Sequence, residues 1–481
     1  MSAADWFARS LALFAAAPEK ARTAAKDAAA TSGVGRRPVS ERLQATLRRK
    51  SEALSPRALR RTLTELQAIV EPQVSEVEGG RRARVFAQWY GGAPIEQRQD
   101  VWLLMSDRFG PNAEKVAAAR GQYEAAIGTA DEGQAEIRLR RAFVSPRTRL
   151  LQRFSVFPEG MQFLVDMRAE LLSCLRSDKR LLALDAELEN LFATWFDVAF
   201  LELRRISWDS PASMVEKLIQ YEAVHAIKGW ADVKNRLDSD RRCYGFFHPR
   251  LPDVPLIFVE VALMDQMAAQ VMPLLDELAA PADIKKAGTA IFYSISNTQT
   301  GLRGVSFGDS LIKRVVEALK EEFPRLRTFA TLSPMPGFRS WLGRNAAAML
   351  EKLEVTDRAA LGRAIGIEPP TAASFLSAAE DPLALSGKSP IRLVLLKCAA
   401  HYLGRALDEG RLVDPVARFH LGNGARIERL NWAGDTSPKG LKQSYGLMVN
   451  YLYDPGRLDK HRTLLAQGKI PVSRSIGDLY F

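Results

Sequence analysis

Histidine and cysteine are scarce in this chain, with five of the former and three of the latter among 481 residues. Cys174, Cys243 and Cys398 are far apart and form no close-spaced pair. That spacing excludes a zinc motif and a disulfide framework, and it points to a reducing compartment. So few histidines argue against a multi-histidine metal site, so metal-free chemistry is expected. No apolar run approaches the ~18 residues of a membrane span, so no membrane partner is expected. The stretch from Met1 to Pro18 is alanine-rich but interrupted by Asp5 and Arg9. It lacks the basic start and small-residue cleavage site of a secretory signal. Its Arg/Ala/Ser content suits an organelle transit peptide as well as an amphipathic or frayed segment, and the second reading is adopted. The ending Gly477-Asp-Leu-Tyr-Phe481 differs from a Ser-Lys-Leu peroxisomal address. A cytoplasmic location is the expectation.

Apolar residues make up 47% and charged residues 26%, an ordinary globular composition with core enough for about two or three domains. The net charge of +11 asks for an anionic partner. The basic clusters, such as Arg36-Arg37, Arg60-Arg61 and Arg138-Leu-Arg-Arg141, read as solvated helix faces. A polyphosphate ligand is therefore expected and nucleic acid is not.

Residues 1–35 read as a flexible tail. Residues 36–204 read as a helical domain of about five to eight helices, suited to self-association, so a homo-oligomer is expected. Glycine pairs such as Gly79-Gly80 and Gly91-Gly92 are taken as its punctuation. Residues 205–481 change character. Asp209 or Ser210 is expected to cap a helix with Pro211 in its first turn. Strand-like runs follow at Pro255–Leu263, Ile291–Ser296, Thr328–Ser333 and Arg426–Trp432, mostly separated by helical segments. Residues 340–412 return to helix and read as an insertion. The fold class is thus an N-terminal all-helical domain followed by a mixed α/β domain with a helical insertion.

The most informative stretch is Tyr293 to Phe338. A strand runs into the turn Gly301-Leu-Arg-Gly-Val-Ser-Phe-Gly-Asp309, and an amphipathic helix follows at once. Leu311, Ile312, Val315, Val316 and Leu319 share one face of that helix. A strand, a glycine turn and a helix N-terminus cradle a phosphate, because free N–H groups and the helix dipole both face the anion. A plain tight turn would carry the same residues. The pattern Arg303-x-x-Ser306-x-Gly308 resembles the CoA-pyrophosphate loop of the GNAT superfamily, with Ser306 where that loop has its middle glycine.

The wider context resembles the malonyl-CoA decarboxylase family. The matching segments are Phe292-Tyr-Ser-Ile-Ser-Asn-Thr-Gln-Thr-Gly-Leu-Arg-Gly-Val305, Leu332-Ser-Pro-Met-Pro-Gly-Phe338, Phe419-His-Leu-Gly-Asn-Gly-Ala425 and Tyr445-Gly-Leu-Met-Val-Asn-Tyr451. Ile206-Ser-Trp-Asp-Ser-Pro211, Glu222-Ala-Val-His225 and Arg241-Arg-Cys-Tyr244 match earlier. The resemblance implies a GNAT-like catalytic domain behind a helical one, and conversion of malonyl-CoA to acetyl-CoA and CO2. It implies catalytic roles for Ser333, His420 and Tyr453. It places the CoA phosphates on Arg303, Gly304, Val305, Ser306, Phe307, Gly308 and Asp309. Animal members carry an acidic residue at the position of Ser306, so a carboxylate role there does not transfer. A GNAT-type acyltransferase and a nucleic-acid-binding helical scaffold are the alternatives.

The chemistry fits these residues. Loss of CO2 from a malonyl thioester leaves an enolate whose electron sink is the thioester itself, so neither a metal nor an organic cofactor is expected. The protein must stabilise an oxyanion and protonate carbon, effects worth roughly 10²–10³ and 10²–10⁴ in rate. His420, with an ordinary pKa of ~6.5, suits a general acid; in an extended segment Phe419 and Leu421 would face away from it. Proline after Ser333 forces extended or turning backbone and would expose its hydroxyl at a strand end. Each also reads as an ordinary buried histidine or a strand-end turn. Tyr451 and Tyr453 each read as donor or core filler, His225, His248, His401 and His461 as structural or surface groups, and Trp208 and Trp432 as core.

Overall fold

The computed structural model describes residues 53–305 and 311–481. The tail expected over 1–35 and the turn residues Ser306, Phe307, Gly308 and Asp309 lie outside the described residues. Eight α-helices lead from Pro56–Ile69 to Leu182–Trp195. Several starts are written locally. Ser55 and Ser145 accept from the backbone N–H groups of Ala58 and Thr148, each with proline in the first helical turn. The helix Gly160–Cys174 buries Met161, Leu164, Val165, Arg168 and Leu171, a one-sided spacing.

Gly79 and Gly80 are not punctuation. They are the fourth and fifth residues of the helix Glu76–Gly92 and are buried. A Cβ on Gly80 would stand 2.6 Å from Val156, and one on Gly79 would stand 2.9 Å from the Ile69 carbonyl oxygen. Glycine is there because the neighbouring segments press against the helix.

An eight-stranded sheet forms the second half, with β1 Glu202–Ile206, β2 Arg241–Phe247, β3 Ile257–Met264, β4 Thr289–Asn297, β5 Thr328–Thr331, β6 Ser333–Pro334, β9 Arg426–Asn431 and β10 Met448–Tyr453. A small separate hairpin holds β7 Leu407–Asp408 and β8 Arg411–Leu412. The order is β1-β2-β3-β4-β5-β10-β6, with β9 also paired to β10. The β4–β5 pair is parallel and is joined across the helix Leu311–Glu322, the crossover that the sequence predicts. The expected helical insertion includes Phe338–Glu351, Val355–Ile365 and Pro390–Gly404. One apolar cluster runs through both halves, joining Leu164, Val165 and Leu188 to Leu302, Val305 and Leu311.

Several local expectations are corrected. β1 and β2 carry arginines that hide their strand character, yet every β2 residue is buried. The guanidinium of Arg242 meets the Glu322 carboxylate at 2.7 Å, which makes its burial tolerable. The helix Ala212–Tyr221 has Pro211 itself at its cap, with no side-chain cap from Asp209 or Ser210. Ser210 instead accepts from the Ser207 N–H, closing a local turn. Trp208 is half exposed and meets the Trp230 ring edge-on, so it is not core.

Candidate active site

The site begins where two strands part. β4 and β5 pair only from Thr289 with Thr328 to Phe292 with Thr331. A last bond joins the Leu332 N–H to the Phe292 carbonyl at 2.9 Å. On its other edge β4 shifts register between Val261–Phe292 and Glu260–Ser294, leaving Tyr293 as the extra residue of a bulge. A bulge bends and twists its strand. The opening is a cavity of about 490 Å³ lined by Phe292, Tyr293 and Ile295 on one side and by Leu332, Ser333 and His420 on the other. That volume suits a small-molecule site.

Ser333 lies in β6, held opposite Val449 of β10. Its hydroxyl is buried rather than exposed at a strand end, and it donates to Thr331 Oγ1 at 2.8 Å. His420 lies in the helix Pro415–Gly422, not in an extended segment. Asp414 starts that helix, accepting from the Ala417 N–H at 2.7 Å, with Pro415 in the first turn. The Asp414 carboxylate also accepts from the Tyr402 hydroxyl at 3.0 Å. Burial pushes the Asp414 carboxyl up. The helix delivers His420 Nε2 to within 3.1 Å of Ser333 Oγ. Its Nδ1 is 2.7 Å from the Tyr453 hydroxyl. The Tyr451 ring stacks on the imidazole with centroids 4.5 Å apart.

Burial alone pushes the His420 pKa down to about 3 and holds the Tyr453 phenol well above its ordinary value. Burial therefore holds His420 neutral, and its ordinary pKa is no guide to its acidity here. Nearby, burial also drives Glu260 up to about 8, outweighing its 2.9 Å pair with Arg236.

The glycine turn rests on the helical half. Arg168, fully buried, donates to the carbonyls of Gly301 at 2.8 Å and Arg303 at 2.9 Å, and its Nε pairs with Asp185 at 2.8 Å. Arg303 and Gly304 are exposed, and Gly304 has a φ of +84°. Val305 is buried and lines the cavity. Ser333, His420 and Tyr453, separated in sequence, are thus brought into hydrogen-bonding distance, with Val305 on the same cavity.

Sequence reasoning missed Thr331, Asp414 and the role of Glu222. The Glu222 carboxylate accepts from Ser294 Oγ and from the Val224 and His225 N–H groups, which ties the 222–225 loop to β4 beside the cavity. Asp414-Pro415 is a helix-start signature and was readable. Thr331 precedes Ser333 by two, the spacing of one strand face. For the tie of Glu222 to β4 no local signal exists, because Ser294 lies far along the chain.

The description "Malonyl-CoA decarboxylase C-terminal domain" matches residues 199–480, and "Malonyl-CoA decarboxylase N-terminal domain" matches residues 109–196. A relative named "Malonyl-CoA decarboxylase, mitochondrial" from Anser anser anser is 34% identical over 400 residues, covering 78% of each chain. One of the same name from Mus musculus is 36% identical over 391 residues, covering 76% of this chain and 78% of its own. A solved malonyl-CoA decarboxylase from Rhodopseudomonas palustris aligns with a TM-score of 0.76 at 38% identity, covering 87% of this chain and 99% of its own. Another from Cupriavidus metallidurans aligns with a TM-score of 0.72 at 41% identity, covering 88% and 100%. With its splayed-strand cavity and these matches along both halves, the chain belongs to the malonyl-CoA decarboxylase family.

Proposed function

We propose that this protein is a malonyl-CoA decarboxylase, a carboxy-lyase that converts malonyl-CoA and a proton to acetyl-CoA and CO2. The observation that carries the reading is the file Tyr453–His420–Ser333, buried against a cavity opened by strand separation. The bond from the α-carbon to the carboxylate breaks, its electron pair moves into the thioester carbonyl as an enolate, and CO2 leaves. Carbon then takes a proton. An entering carboxylate about 4 Å from the imidazole is worth ~4 kcal/mol at an effective dielectric of ~20. That is about a thousandfold in protonation, enough to return His420 from about 3 towards its ordinary range. The imidazolium Nε2 proton passes through Ser333 to carbon, leaving a neutral ring. No covalent acyl-enzyme is required.

CoA lies with its phosphates on the turn Arg303, Gly304, Val305, Ser306, Phe307, Gly308 and Asp309. Arg418, exposed at the cavity two residues from His420, offers a further cation. The helical domain, to residue 204, positions this turn through Arg168, and the GNAT-like catalytic domain covers 205–481. A homo-oligomer assembled through the helices and a cytoplasmic location complete the reading. Three free cysteines fit a reducing compartment, and among the described residues no helix is long and apolar enough to cross a membrane.

The test is incubation with malonyl-CoA alone, with CO2 and acetyl-CoA measured. Equal amounts of both are expected. An acyl group transferred only when an amine is added, without CO2, would instead identify an acyltransferase.

A further inference from the structure

The two ends of the His420 file are not equivalent. At one end Tyr453 offers a phenolic O–H to Nδ1. At the other, Ser333 meets Nε2, but its hydroxyl has a second neighbour, and the geometry there has a direction. The Ser333 O–H donates to Thr331 Oγ1 at 2.8 Å. The same oxygen accepts from the Tyr451 N–H at 3.2 Å. A hydroxyl oxygen has two lone pairs, and these two donors fill them.

Thr331 is held firmly enough to impose that direction. It is fully buried, and it forms the last rung of the β4–β5 ladder, opposite Phe292, where the strands begin to part. Its carbonyl accepts from Asn450 Nδ2 at 2.7 Å. Asn450, Tyr451 and Tyr453 all lie in β10, so Thr331 is fastened to the strand that carries both rings flanking His420.

Ser333 has one proton to give. Given to Thr331, it cannot also be given to His420. The 3.1 Å contact of Ser333 Oγ with Nε2 then requires the proton to be on the ring nitrogen. A neutral imidazole carries one N–H, so Nδ1 is bare and accepts from Tyr453. We propose that Thr331 is a positioning residue that orders the chain Tyr453 to His420 to Ser333 to Thr331 and so keeps Nε2 of resting His420 a donor towards the acyl cavity. Burial, which keeps His420 neutral and Tyr453 protonated, supports the same order. Ser333 is thereby denied a base. At rest it serves as an acceptor, and it relays only when its own proton turns from Thr331 to carbon as the Nε2 proton arrives; that order suits decarboxylation and disfavours acyl transfer to serine. The assignment rests on the decarboxylase reading for its catalytic consequence, and on the hydrogen-bond geometry around a neutral, buried ring for the tautomer.

Nitrogen NMR of the full chain labelled with ¹⁵N-histidine decides it, because there are only five histidines and His420→Gln identifies the signal. The wild type should show a neutral ring protonated at Nε2. Thr331→Val removes the acceptor and keeps the branched shape. The Ser333 proton then turns to Nε2, and the ring should switch to the Nδ1–H form. Turnover should fall by between about 10-fold and 10⁴-fold, the latter being the scale of a wrong tautomer in a catalytic triad. KM for malonyl-CoA should stay within about twofold. Thr331→Ser keeps the oxygen and should restore both tautomer and turnover, which a merely structural role for the side chain would not require. An Nδ1-protonated ring in the wild type overturns the proposal. So does a folded Thr331→Val protein with unchanged tautomer and turnover. If the wild type releases no CO2 from malonyl-CoA, the decarboxylase reading fails, and the tautomer signals still decide the part assigned to Thr331.

Discussion

Gly301→Ala tests whether the helical half sets the geometry of the site. Gly301 has no left-handed φ, so alanine is permitted by its backbone conformation. The obstacle is a neighbour. A Cβ there would stand 1.9 Å from the Val165 carbonyl oxygen, whereas ordinary contact begins near 3.4 Å. Both partners are backbone, Val165 inside the helix Gly160–Cys174 and Gly301 in the turn held by Arg168. The turn must therefore retreat by about 1.5 Å, and Val305 on the cavity wall retreats with it. Overpacking of this kind costs about 1–3 kcal/mol in stability. A misplacement of about 1 Å costs up to about 100-fold in a positioned reaction. The expected result is a folded protein with a lowered unfolding midpoint and kcat/KM for malonyl-CoA reduced by about 10- to 100-fold. Urea titration and steady-state CO2 release measure the two effects. Gly121→Ala is the control: it is exposed, mid-helix and has no atom within 4 Å of the added Cβ, so it should gain up to about 1 kcal/mol with unchanged kinetics. A Gly301→Ala enzyme with wild-type stability and kinetics would refute the close contact and the positioning role built on it.

The remaining expectations concern chemistry and pH. His420→Ala should fold and lose at least ~100-fold in turnover, while Ser333→Ala should lower kcat far more than it weakens CoA binding; rapid quench with labelled malonyl-CoA should find no label on the protein, and a trapped acyl-Ser333 would overturn the direct mechanism. Activity should survive exhaustive chelation, since the thioester is its own electron sink; loss on chelation and recovery with one specific metal would contradict this. Burial depresses His420 to about 3 and His225 to about 4, so each favours folding fully above an unfolded-state pKa of ~6.5 and progressively loses that contribution as pH falls towards those values. The urea midpoint should therefore drop between pH 7 and pH 4.5, and less steeply in His225→Gln; identical slopes would remove His225 from the explanation.

How much of this was readable follows from how local each cause is. The crossover from β4 to β5 was legible, because the strand, the glycine turn and the five-residue apolar face lie in one continuous stretch. The pairing of His420 with Ser333 was not, since it depends on β10 bringing chain positions 333, 420 and 453 together. Family resemblance named those residues, but it did not supply the helix that carries His420. That helix was hidden because Asn423-Gly424 reads as a turn, although Asp414-Pro415 announces its start. β1 and β2 were missed because their arginines find carboxylates distant in sequence, such as Glu322, which no local window contains. Gly80 misled for the same reason, since what demands glycine there is Val156.

The strand order also bears on how the protein is made. β10 pairs with β5, β6 and β9, yet it is the last of the strands to be synthesised. While the ribosome makes the chain from Leu332 to Leu447, β5 has one edge with its eventual partner missing. At about 5–20 residues per second that interval is on the order of ten seconds. An unpaired apolar edge of this kind recruits other strands, so the nascent chain needs shelter late in translation, and truncations that end before Met448 should be recovered as aggregates.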